Sequence, residues 1–150
     1  MQLILYATYL FLAVYNTGNM LTLQIQHYGI YYFVGKENFK EYMLANNKAA
    51  VIPSIMPAML LLLINLLLLF YRPLFMSFAE CVLSLGLNII ALVSTFTWQR
   101  KLQGEMAISG YDEKKIKLLC STNWIRTVVF FVQAIMAILI IIEALKPLNP

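Results

Sequence analysis

Residues 95–127 read TFTWQRKLQGEMAISGYDEKKIKLLCSTNWIRT, the longest polar interval in an otherwise apolar chain. The interval ends by carrying Asn123 and Arg126 back into an apolar run. Three apolar runs precede it and one follows, each long enough at a rise of about 1.5 Å per residue to cross a bilayer. This pattern predicts an all-α, integral membrane, four-helix up-down bundle with spans at about 3–26, 49–71, 74–98 and 118–145. The polar intervals 34–48 and 99–117 are expected as loops on one face of the membrane, and 1–150 as a single transmembrane domain.

Composition supports membrane solvent. Hydrophobic residues make up 61% of the chain and charged residues 12%, with a mean hydropathy of +0.75. Soluble domains are roughly 45–50% apolar and about 25% charged. The net charge of +4 does not argue for nucleic acid, because the basic residues sit in short intervals between apolar runs. Lys36, Lys40, Lys48, Arg100, Lys101, Lys114, Lys115 and Lys117 fall on one side, against Arg72 and Lys146 on the other. That asymmetry predicts intervals 34–48 and 99–117 cytoplasmic and both termini outside. The first run has no basic n-region and no small-residue cleavage site, so it is expected to be a retained helix. Cys81 and Cys120 are expected at opposite faces, too far apart to pair.

Along the chain, Asn16, Asn19, Gln26 and His27 are expected to share one face of the first helix, with Gln24 to one side. Within 34–50, Phe39, Tyr42 and Met43 can line one side of a short interfacial helix. Pro53 and Pro57 stand in the first turns of the second span, which then carries a lone Asn65, and Arg72-Pro73 reads as a tight turn. Glu80, Ser84 and Asn88 step by four along the third span, with Ser77 and Thr95 on the same stripe. The fourth carries Asn123, Arg126, Thr127 and Gln133.

Helical rise sorts these polar residues by depth. Asn123, Asn19 and Arg126 come at roughly 8–12 Å from the cytoplasmic side and Asn88 and Asn16 at about 15 Å, whereas Asn65, Gln133 and Glu80 come at roughly 22–27 Å. Two polar layers are therefore expected. An intramembrane arginine must pair, face water or snorkel. Glu80 is too far in depth to be its partner, so Asn88, Asn16, Asn19 or a ligand anion or carbonyl is expected on Arg126. The competing reading is that these groups only join helices. Glu80 fits a headgroup contact, or failing that a proton site with Gln133 and Asn65. No metal spacing and no nucleophile elbow is present. His27, the one histidine, is expected as an interfacial aromatic rather than a haem ligand.

The stretches SGYDEKKIKLLCSTNWIRTVVFF and HYGIYYFVGKENFKEYM, with Pro57-Ala58-Met59, resemble a bacterial group of small four-helix membrane proteins of unknown function related to the anthrone-oxygenase-like family. Asn123-Trp124-Ile125-Arg126-Thr127 carries most of the resemblance. It implies oxidation of a polycyclic aromatic substrate without an obvious cofactor. Asn123 and Arg126 would then polarise a phenolate or enolate oxygen, and Trp98 and Trp124 would stack the ring. Where that group often carries histidines, this chain has Asn46-Asn47 and Gln103-Gly104.

Three functions fit the sequence. The first is a binding module or accessory subunit, holding a lipid- or quinone-like ligand in its polar layers, with the bilayer and other membrane subunits or further copies of itself as partners. The others are an anthrone-oxygenase-like enzyme and an ion or proton conductor acting as an oligomer.

Overall fold

The computed structural model describes residues 1–146, so the expected placement of the C-terminus falls outside the described residues. Among the described residues the chain is all-helical, with no strand. Helix α1 is Gln2–Thr22 and runs through a π-helical turn, Leu23–His27, into the single turn α2, Tyr28–Ile30, and a 3-10 turn, Tyr31–Phe33. Helix α3, Phe39–Ala49, leads through a second π turn, Val51–Ile55, into α4, Met56–Tyr71. Helix α5, Phe78–Ser94, leads through a third, Thr95–Gln99, into α6, Arg100–Ser109. Helix α7 is Glu113–Leu145.

Among the described residues three helices are long and apolar enough to cross a membrane: Val51–Tyr71, Phe78–Ser109 and Glu113–Leu145. The apolar run of α1 is interrupted by Tyr6, Tyr9, Tyr15, Asn16 and Asn19, which lowers its mean hydropathy below theirs. It packs against α4 and α7, and α5 packs against the same two helices.

Interval 99–117 is not a loop. The charges in RKLQGE mark an exit from apolar surroundings, but Arg, Lys, Leu, Gln and Glu are all good helix formers, so the helix continues to Ser109. It ends at Gly110, whose φ of +89° and ψ of −156° suit only glycine. Asp112 then caps α7 by accepting a bond from the Lys115 amide at 3.1 Å. The second interval differs likewise: α3 is not a lone interfacial helix. Phe39 and Met43 are fully buried, with Leu102, Met106, Ile116, Leu119, Tyr28 and Tyr31, in a core that joins α3 to α6 and the start of α7.

The third span also starts later than expected, because residues 72–77 form an irregular connection. Ser77 caps α5, and Glu80 reaches back to the Ser77 amide (2.7 Å) in a reciprocal capping box. Glu80 is thus a first-turn capping residue rather than a group two turns into the span. No ion pair joins it to Arg126 among the described residues.

The protein consequently has two stacked cores. One, including Tyr6, Tyr9, Leu61, Leu68, Phe130 and Ile140, lies among α1, α4, α5 and α7. The other is the α3–α6 core described above. A helix of 32 residues, such as Phe78–Ser109, is about 48 Å long, against a hydrocarbon thickness of about 30 Å. The three π turns lie where one core gives way to the other.

Candidate functional site

π-helical residues are well under 1% of residues in ordinary proteins, and π turns favour functional sites. Here three five-residue π turns border one pocket of about 200 Å³. Leu23 and His27 come from the first, Pro53, Ser54 and Ile55 from the second, and Thr95 and Gln99 from the third. Asn19, Tyr28, Asn46, Arg100, Gln103 and Arg126 complete the polar part of the wall.

Local chemistry explains part of this geometry. A π turn closes on i→i+5 bonds, as in Tyr28 N to Leu23 O and Arg100 N to Thr95 O. Positions five apart are thereby brought towards one face, so Arg100 joins Thr95 at the pocket. In the second turn the cause is legible in sequence. Pro57 has no N–H, so the Pro53 carbonyl lacks the donor four residues on. Tyr15 Oη (3.0 Å) and Asn19 Nδ2 (2.9 Å) donate to it instead. Asn19 Nδ2 also donates to Ser54 Oγ at 3.0 Å.

Arg126 is the electrostatic centre of the wall. It is 5% exposed. Its Nε donates to Asn123 Oδ1 at 2.9 Å, Nη2 donates to Tyr28 Oη at 2.9 Å and to Asn123 Oδ1, and Nη1 donates to Thr95 Oγ1 at 3.3 Å. Asn123 is oriented by donating to Gln24 Oε1 at 2.7 Å. None of these acceptors carries a charge. Burial lifts the Tyr28 hydroxyl above the ordinary tyrosine range, outweighing the pull of Arg126 in the other direction. Tyr28 therefore accepts as a neutral phenol.

The partners expected for Arg126 lie elsewhere. Asn16 Nδ2 turns back to Leu12 O at 2.8 Å, Asn19 meets the second π turn, and both amide atoms of Asn88 are buried without a partner among the described residues. Asn123, Asn19 and Arg126 come together near the pocket; Asn16 and Asn88 do not line it. Trp98 and Trp124 are 42% and 49% exposed and do not line it. Each lies beside the inward face of its helix rather than on it, next to buried Gln99 and Asn123 respectively.

The expected face of α1 also breaks. The π turn shifts the helical phase, so Gln26 is exposed and Gln24 turns inward, donating to Cys120 O at 3.2 Å. His27 remains at the pocket. Asn46 Nδ2 donates to Tyr31 Oη (2.9 Å), which leaves Asn46 Oδ1 to accept from His27 Nε2 at 2.8 Å. Gln24, Tyr28, Thr95, Gln99 and Arg100 were missed as site residues. No residue in 23–27 or 95–99 signals a π turn, and Arg100 reads simply as a boundary charge.

The second layer is a separate, fully buried network. Ser84 Oγ lies 2.7 Å from Asn65 Oδ1 and 2.9 Å from Tyr9 Oη, and Gln133 Nε2 donates to it at 2.8 Å. Asn65 and Gln133 belong to it as expected; Glu80 does not. No group of three His, Cys, Asp or Glu stands together among the described residues, and Cys81 and Cys120 are unpaired thiols.

Comparison with protein-family profiles, curated proteins and solved structures finds no match to this chain.

An unpaired buried amide costs about 1–3 kcal/mol. Asn88→Leu is therefore expected to leave the unfolding temperature in detergent unchanged or raise it. A drop of several degrees would show that the Asn88 amide is bonded in the native membrane.

Proposed function

We propose that this is a small integral membrane binding protein, a module or accessory subunit, whose pocket holds the head of a lipid- or quinone-like ligand at the cytoplasmic boundary of the inner membrane. One observation carries the reading: three π turns open a pocket around a buried arginine whose bonds all go to neutral groups. Structural cross-links between helices do not need three widened turns at one level.

The topology that goes with this reading is four spans with both termini outside. α1 serves as the fourth span, since it carries no charge and buries Tyr6, Tyr9 and Asn16 among the other three. Counting about 20 residues inward from Phe78 and from Leu145 ends near Trp98 and near Ile125. The exposed Trp98 and Trp124 then form an interfacial belt at the level of the pocket. The α3–α6 core stands beyond it in the cytoplasm.

Size supports a head group. An apolar cavity of about 150 Å³ holds a single benzene, and whole drug-sized ligands take about 300–1,000 Å³. The roughly 200 Å³ pocket suits a head group or one ring with its tail in lipid. The anthrone-oxygenase-like reading has one observation in its favour. Asn46 and Gln103, near the positions where that group carries histidines, both line the pocket. Its polycyclic substrate would have to extend beyond the enclosed volume.

Two experiments bear on this. In a chain lacking Cys81 and Cys120, a membrane-impermeant maleimide applied from outside should label Leu74→Cys and reach Lys101→Cys only after lysis; the opposite pattern would refute the orientation. Native mass spectrometry after gentle extraction should find a small molecule on the wild type and on Glu80→Ala but not on Arg126→Ala. Bare chains in all three samples would refute the binding role.

A further inference from the structure

The pocket has more positive charge than the protein supplies anions to balance. Arg126 has five N–H groups, and four bonds to neutral acceptors leave one N–H on Nη1 unused. Arg100 lines the same pocket, and its Nη1 is buried without a partner among the described residues. None of the chain's seven Asp and Glu side chains lines the pocket. Glu105 pairs with Lys115 at 2.9 Å, Glu143 pairs with Lys146, Glu80 and Asp112 cap helices, and Glu37, Glu41 and Glu113 are exposed.

Hydrogen bonds to neutral acceptors solvate a guanidinium but do not cancel its charge, and a second cation in a low-dielectric pocket adds repulsion. What relieves both is an anion, and guanidinium groups bind planar carboxylates and phosphates through paired N–H···O bonds. Neutral polar groups and the apolar Leu23, Ala49, Ala50, Pro53 and Ile55 make up the rest of the wall.

Resting on the binding role above, we propose that the ligand's head is an oxyanion, a carboxylate or phosphate, held between Arg100 and Arg126, with its hydrocarbon tail in the bilayer. A neutral quinone head would leave both charges uncompensated.

The test uses the full chain in dodecyl maltoside at neutral pH, measuring dissociation constants for laurate, dodecyl phosphate, methyl laurate and a decyl-tailed benzoquinone. The two anions are expected to bind at least about tenfold tighter than the neutral pair, since charge-assisted bonds are roughly twice as strong as neutral ones. Arg100→Gln should bring that preference close to parity and Arg100→Lys should keep part of it. Arg100 is preferred to Arg126 because its removal leaves the α7 network intact. Neutral probes binding as tightly as the anions, or an anion preference untouched by Arg100→Gln, would overturn the oxyanion assignment while leaving a binding pocket. Failure of every probe, or binding unaffected by Ser54→Trp, which fills the pocket, would overturn the binding role itself. Inorganic phosphate separates the sources: affinity equal to dodecyl phosphate would assign the site to a free anion and remove the tail from the proposal.

Discussion

Arg126 sits on a face of α7 where its neighbours Asn123, Thr127 and Phe130 are also buried, so its charge has to be solvated by whatever the other helices bring to it. Withdrawing an ion from water costs several kcal/mol even after relaxation. Three elements supply acceptors: Tyr28 from α2, Thr95 from the turn after α5, and Asn123, itself held by Gln24 from the turn after α1. Each needs a particular helical phase, and in two cases a π turn delivers it. The guanidinium and the widened turns are therefore one construction. Replacing Arg126 would leave Tyr28, Thr95 and Asn123 without the group that organises them.

The same turns join two different cores in one set of helices. On one side of them the core is built from Leu, Ile, Tyr, Phe, Met and small residues, with Ser84, Asn65, Gln133 and Tyr9 joining neighbours by side-chain bonds. On the other side lies a core of Tyr28, Tyr31, Phe39, Met43 and Met106 with Leu102, Ile116 and Leu119, in which Tyr31 stacks edge-on against Tyr28, Phe39 and Tyr42. A continuous helix keeps the phase of its lower face in its upper one unless a turn is widened. The second face can thus be reset at the boundary, and a pocket opens where the reset occurs.

Much of the membrane part was legible in sequence because it depends on hydropathy and spacing. The end of α4 at Tyr71 follows from the Arg72-Pro73 break, and the burial of Asn16, Ser84, Asn88, Asn123, Arg126 and Gln133 from the need to keep polar groups out of lipid. What failed was phase. Once residues 23–27 and 95–99 widen, a count of 3.6 residues per turn assigns Gln26 inward where Gln24 goes, and treats Arg100 as a loop charge. Pro53 and Pro57 did announce an irregular turn, but not that Asn19 would fill the orphaned carbonyl instead of meeting Arg126. Polarity was misread in interval 99–117, where charged helix formers mark a change of solvent and not the end of a helix.

The most direct measurement is an experimental density map of the protein reconstituted with lipids from its own membrane, inspected at the pocket between Arg100 and Arg126. The account predicts non-protein density within hydrogen-bond distance of Nη1 of both arginines, continuing as a tail towards the lipid. A collapsed pocket, or a carboxylate of the chain itself bonded to Arg100, would contradict it.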